Sequence, residues 1–252
     1  MARGRLPVVV SVPHGGVDAP AWLGDACLLG PDEFASDGDT WAREIYDVAD
    51  RVQALVETTV PRAVVDMNRP RDDMRPDGVV KTVTVDGRPV WRGGGLPAEP
   101  IVDRLLAECW DPYHERLARA CRDPGAVLGV DCHTMLAVGP AGGPLDGLER
   151  PPACVSNLGG PAGEPAGGPV SAPAEVVVAL REALEEALGT ETGRRRVAIN
   201  HPFGGGWITR SHGGDPLPWV QIEISRALYL DPGAAPGPRS PLASRVRLGD
   251  LR

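Results

Sequence analysis

Short apolar runs alternate with longer amphipathic stretches along this chain. Residues 7–12, 62–67, 126–132, 196–200 and 219–224 have strand length and are rich in valine or isoleucine, which suit a pleated backbone. Between them, 40–57, 100–122 and 173–188 repeat apolar side chains at three- and four-residue steps, the period of one helix face. Asp39 precedes the first and is placed to cap it, while Pro173 and Gly189 frame the third in the order that starts and stops a helix. Pro112 interrupts the second, which is either two helices or one kinked helix. The alternation predicts an α/β chain, a single-domain three-layer sandwich around a mostly parallel mixed sheet.

Composition adds loops to this picture. The 32 glycines and 27 prolines among 252 residues crowd into 136–173, read as a surface loop region around the short run 153–157, and into a tail at 231–252. Within that tail, 244–248 either adds an edge strand or stays mobile. A net charge of -8, with 26 basic side chains scattered along the chain, gives no stripe to neutralise a phosphate backbone and argues against nucleic acid. No apolar run approaches the roughly 20 residues that span a bilayer, and the N-terminus passes straight into the first strand. A cytoplasmic protein with no membrane partner is expected. Cys27, Cys109, Cys121, Cys132 and Cys154 form neither a zinc knuckle nor a disulfide framework, so reduced thiols are expected. Lys81 is the only lysine, which confines lysine chemistry to one position.

Three apolar runs carry side chains with chemistry. The first leads into Pro13-His14-Gly15-Gly16, the second into Asp131-Cys132-His133-Thr134, and the last contains Gln221-Ile222-Glu223-Ile224. Imidazole and carboxylate are ligands zinc prefers, and a catalytic zinc takes three of them and keeps a position for water. Parallel sheets collect ligands at the carboxyl ends of their strands. The plainer readings are a histidine bonded to a loop carbonyl and a Glu223 ion pair with Arg226. Strand alternation puts Asp131 and His133 on one face and turns Cys132 away, which disfavours a Cys–His nucleophile. Gln221 and Glu223 share a face by the same rule. In Asp37-Gly38-Asp39 one carboxylate can cap a helix while the other ligates, and His114 sits in a helical pattern as a surface or packing residue. Arg69, following Asp66-Met67-Asn68, could hold a carboxylate in bidentate fashion, as could Arg92 and Arg210. Pro202-Phe203-Gly204-Gly205-Gly206-Trp207 is too irregular for a dinucleotide fingerprint and reads as a wall or lid.

Taken in order, Val12-Pro13-His14-Gly15-Gly16, Asp37-Gly38-Asp39, Asp66-Met67-Asn68-Arg69-Pro70, Asp131-Cys132-His133-Thr134-Met135, Pro202 to Trp207 and Gln221-Ile222-Glu223-Ile224-Ser225-Arg226 resemble the N-formylglutamate amidohydrolase family. The resemblance implies a phosphorylase/hydrolase-like fold related to zinc carboxypeptidases, with residues 1–252 as one catalytic domain. It implies hydrolysis of an N-formyl or related N-acyl amide of an amino acid, with that small molecule as the partner. It also implies one Zn2+ per chain, or another divalent ion, held by His14, His133 and an acidic residue that is Asp39 or Asp37. Glu223 falls at the general-base position, and Arg69 at that of a residue binding the substrate carboxylate or polarising its carbonyl. Asn68, Arg92, Arg210 and Trp207 go to the substrate pocket, and Asp131 is placed to orient His133. The alternative is a catalytically silent metal- or small-molecule-binding protein on the same scaffold.

Overall fold

The computed structural model describes residues 4–143, 145–188 and 196–230. Six strands, β1 (Leu6–Val12), β2 (Val52–Glu57), β3 (Leu128–Met135), β4 (Ala153–Ser156), β5 (Ala198–Ile199) and β6 (Trp219–Ser225), form one sheet in the order β2-β1-β3-β6-β4-β5. The pairs β1/β3, β3/β6 and β4/β5 are parallel and β4/β6 is antiparallel. The α/β class with a mostly parallel mixed sheet is therefore as the alternation predicts. The helices are α1 (Pro31–Asp37), α2 (Ala42–Ile45), α3 (Glu99–Leu105), α4 (Asp111–Cys121), α5 (Ala174–Ala187) and α6 (Trp207–His212).

The described residues fall into two compact units. One comprises 4–11, 48–55 and the described part of 120–229. It carries the sheet, with α5 packed on β4 and β5 and α6 on β6. Almost every residue of β3 and β6 is buried, which explains continuous apolar runs where a half-exposed strand would alternate. At one end of this pair Gly129 sits opposite the fully buried Trp219. A Cβ on Gly129 would run into that indole, so glycine is required for packing.

The other unit comprises 12–47, 56–119 and residue 230, and much of its core lies in non-repetitive backbone. Here the periodicity misleads. Residues 62–67 do not form the expected strand: Ala63, Val64 and Val65 are buried, but the N–H groups of Val64 and Val65 turn back onto the Pro61 carbonyl. An apolar run reports burial, and only its backbone partners distinguish strand from turn. The helix expected over 40–57 shrinks to α2, preceded by Trp41 in a left-handed conformation (φ 63°) and closed by the non-helical Tyr46 (φ -98°, ψ 24°). The valines of 52–57 instead build β2.

Pro112 is accommodated by a π-helical turn over Leu106–Trp110, joining α3 to α4 in a run of helical segments. Pro173 caps α5 rather than opening its first turn, and Gly189 lies outside the described residues. The short run at 153–157 within the loop region is a strand, Ala153–Ser156 forming the buried β4. The tail 231–252, including 244–248, also lies outside the described residues. Among the described residues no helix is long and apolar enough to cross a membrane.

Substituting Gly129→Ala is expected to lower unfolding stability by about 1–3 kcal/mol, the usual cost of overpacking. The shift of the urea midpoint, with an unchanged slope, measures it.

Candidate metal centre

His14 follows β1 by two residues, and the Asp39 N–H donates to the His14 carbonyl at 2.9 Å, tying the segment after α1 to the segment after β1. A Cβ on the intervening Gly38 would press on the carbonyls of His14 and Phe34. Asp39 is not the expected helix cap: the N-cap of α2 is Trp41, and Asp39 Oδ2 stands 3.8 Å from His14 Nδ1. On the far side of the ring, His14 Nε2–H donates to Asp66 Oδ1 at 2.7 Å, and the Asn68 N–H reaches the same oxygen at 2.9 Å. Burial by itself would raise the Asp66 carboxyl, but His14 outweighs it with help from Arg62 and Lys81, so the group is held well below the usual carboxylate range.

Asp37 is occupied differently. Its Oδ1 accepts the Val85 N–H at 2.7 Å, and its Oδ2 lies 3.5 Å from both Arg62 Nε and Lys81 Nζ. Burial and the neighbouring Arg62 lower the Lys81 pKa, while Asp37 and Asp66 oppose that shift. Asp37 thus serves as counter-ion in a buried charge cluster.

In the sheet, the parallel register sets Asp131 beside Gln221 and His133 beside Glu223. Period-two alternation places all four on one face. Ser11 Oγ–H donates to Asp131 Oδ1 at 2.8 Å, and His133 Nε2–H donates to Asp131 Oδ2 at 2.9 Å. Gln221 Nε2–H donates to Glu223 Oε1 at 3.0 Å, while Gln221 Oε1 is buried with no hydrogen-bond partner among the described residues. Arg226 Nε–H donates to Thr134 Oγ1 at 3.2 Å.

His14, Asp39 and His133 are all buried, and one ligand atom from each lies within 4.8 Å of the others. Among the described residues this is the one group of three or more His, Cys, Asp or Glu side chains placed to hold a metal ion. Two imidazoles and a carboxylate form the nitrogen and oxygen donor set that suits zinc. Each imidazole also gives its Nε2–H to an aspartate, the arrangement that fixes ring orientation and tautomer in metal-binding histidines.

The remaining sequence candidates lie as follows. Arg69 is part-exposed, with Nη2 3.3 Å from Asp77 Oδ2 and Nε 3.9 Å from Asp66 Oδ2. Arg92 is exposed and donates to the Asp25 carbonyl. Arg210 lines a groove with Leu158 and the 166–171 segment. Trp207 is half-buried at the start of α6. Cys132 turns its thiol toward the Val130 carbonyl, and burial, with Asp131, pushes its pKa well above normal. His114 packs on Trp110 and bonds to the Met67 carbonyl.

Sequence reasoning missed Asp66 and Arg150, and gave Gln221 its face beside Glu223 but no role. Asp66 stood inside a motif valued for its arginine. Arg150 had no signal, being set in a Gly/Pro-rich stretch.

The chain matches the family model described as N-formylglutamate amidohydrolase over residues 6–230. It is 33% identical to an N-formylglutamate deformylase of Pseudomonas aeruginosa, covering 97% of this chain and 90% of that protein. It is 30% identical to an N-formylglutamate deformylase of Pseudomonas putida, covering 91% and 84% respectively. Among solved structures it is similar to an N-formylglutamate amidohydrolase from Ralstonia eutropha JMP134, with a TM-score of 0.71 and 22% identity over 99% of this chain and 91% of that one.

Replacing Asp37 by alanine is expected to cost about 3–5 kcal/mol of unfolding free energy, because Lys81 and Arg62 lose a buried counter-ion. Chemical denaturation reads the loss, and a change below about 1 kcal/mol would contradict the counter-ion role.

Proposed function

The chain belongs to the N-formylglutamate amidohydrolase family, and on that footing we propose that it hydrolyses the amide of an N-formyl amino acid of the N-formylglutamate type, using zinc held by His14, Asp39 and His133. The buried His–Asp–His group carries the reading. With the Nε2 atoms of both histidines directed at Asp66 and Asp131, Nδ1 is the ligating nitrogen this reading assigns to each ring. Asp39 is preferred to Asp37 as third ligand because Asp37 serves Val85, Arg62 and Lys81. A zinc ion bound there supplies Lewis acidity to the formyl carbonyl and lowers the pKa of water.

The chain's own groups handle the protons. Glu223 takes a proton from water as the C–O bond to the formyl carbon forms, then returns it to the amide nitrogen as the C–N bond breaks, leaving formate and the free amino acid. Gln221 holds Glu223 Oε1, which limits the carboxylate's rotation during both transfers. Arg69 is assigned to the developing oxyanion, and Asn68, Arg92, Arg210 and Trp207 to the substrate's surroundings. One family match over residues 6–230 supports a single catalytic domain. Cytoplasmic residence accords with cysteines that are all free.

Metal analysis should find about one zinc per chain, and chelation should abolish hydrolysis of N-formyl-L-glutamate until zinc is restored. Full activity in metal-free protein would overturn the zinc reading. Glu223→Gln should lower kcat by about 10²–10⁴-fold with zinc content retained. Asp66→Asn or Asp131→Asn should each weaken zinc affinity about 10–100-fold, measured by competition with a chromogenic chelator.

A further inference from the structure

Arg150 lies in a stretch that composition assigns to surface loop, yet it is only 5% exposed. Its guanidinium stands over the Phe203 ring, 4.9 Å from the ring centroid, which presents the planar fork in a fixed attitude. Burial lowers its pKa, and Glu223 opposes the shift while Arg226 reinforces it, so the three side chains share one electrostatic environment. Two buried guanidiniums therefore stand in the field of the carboxylate assigned as general base. That arrangement suits a reaction whose substrate is itself an anion, because the cations offset repulsion between Glu223 and incoming negative charge.

Arg69, assigned to the oxyanion, lies beside Asp77 and Asp66; Arg92 is exposed and donates to the Asp25 carbonyl, and Arg210 lines a groove with Leu158. We propose that Arg150 is a specificity-determining residue that takes a carboxylate of the substrate in its guanidinium fork, with Phe203 fixing the plane of that fork. This rests on the hydrolase reading above. The ligand class is an N-acyl amino acid bearing at least one free carboxylate, on the α-carbon or on the side chain. A lysine at this position would keep the charge without the paired N–H geometry.

The test compares N-formyl-L-glutamate with N-formyl-L-glutamine, neutral on the side chain, and N-formyl-L-isoglutamine, neutral at the α-position. One of the two amides should fall about 10–100-fold below the glutamate substrate in kcat/KM, which identifies the carboxylate held. In Arg150→Met that ratio should collapse to about one, and in Arg150→Lys it should lie between. Circular dichroism confirms folding, and the lysine variant serves if the methionine variant does not fold. An unchanged ratio in a folded variant, or an equal loss on all three substrates, would overturn the assignment and leave hydrolysis standing. Calorimetric binding of L-glutamate, L-glutamine and L-isoglutamine gives the same comparison without turnover. Arg150-dependent selectivity in binding, with no hydrolysis of any substrate, would sink the hydrolase reading and keep the carboxylate site. Absence of that selectivity in both assays would overturn the assignment.

Discussion

The parallel register between β3 and β6 is the constraint on which much else depends. It sets His133 beside Glu223 and Asp131 beside Gln221. All four are buried, so the strands carry a polar row through an otherwise apolar sheet. A slip of β6 by one residue would turn Gln221 and Glu223 to the opposite face and bring Ile222 and Ile224 in their place. Gly129 beneath the Trp219 indole resists such a slip, since this crossing leaves no room for a side chain.

Burying so many ionisable groups is tolerable only because they answer one another. Asp66 and Asp131 each take the Nε2–H of a histidine. Asp37 answers Lys81 and Arg62, and Gln221 holds Glu223. An apolar core of the same volume would be at least as stable, so the arrangement is better understood as fixing geometry than as adding stability. The two acids of Asp37-Gly38-Asp39 differ in surroundings: Asp37 faces both Lys81 and Arg62, while Asp39 faces His14 through Oδ2 and Arg62 Nη1, at 3.8 Å, through Oδ1. Trp41 in the left-handed region marks the same segment as strained, a common condition beside a functional site.

Much of this was legible in the sequence, and the exceptions have physical reasons. The apolar runs that became β1, β3 and β6 were visible because valine and isoleucine crowd them, and the strand period put Asp131 with His133 and Gln221 with Glu223. Residues 62–67 misled because burial and strand conformation leave the same apolar signature, while the turns onto Pro61 leave none. The left-handed Trp41 that precedes the four-residue α2 has no sequence mark, since such conformations usually signal glycine or asparagine. Arg150 was hidden in a stretch whose composition suggested loop, and β4 showed there only as a short run at 153–157. Asp37 and Asp39 were inseparable because they differ in three-dimensional surroundings alone.

X-ray absorption at the zinc edge of the zinc-loaded protein reads the donor set of the His14–Asp39–His133 group directly. The expected spectrum has only nitrogen and oxygen neighbours at about 2.0–2.1 Å, with the outer-shell scattering of two imidazoles falling to one in His133→Ala. A sulfur shell near about 2.3 Å, or imidazole scattering unchanged in His133→Ala, would contradict it.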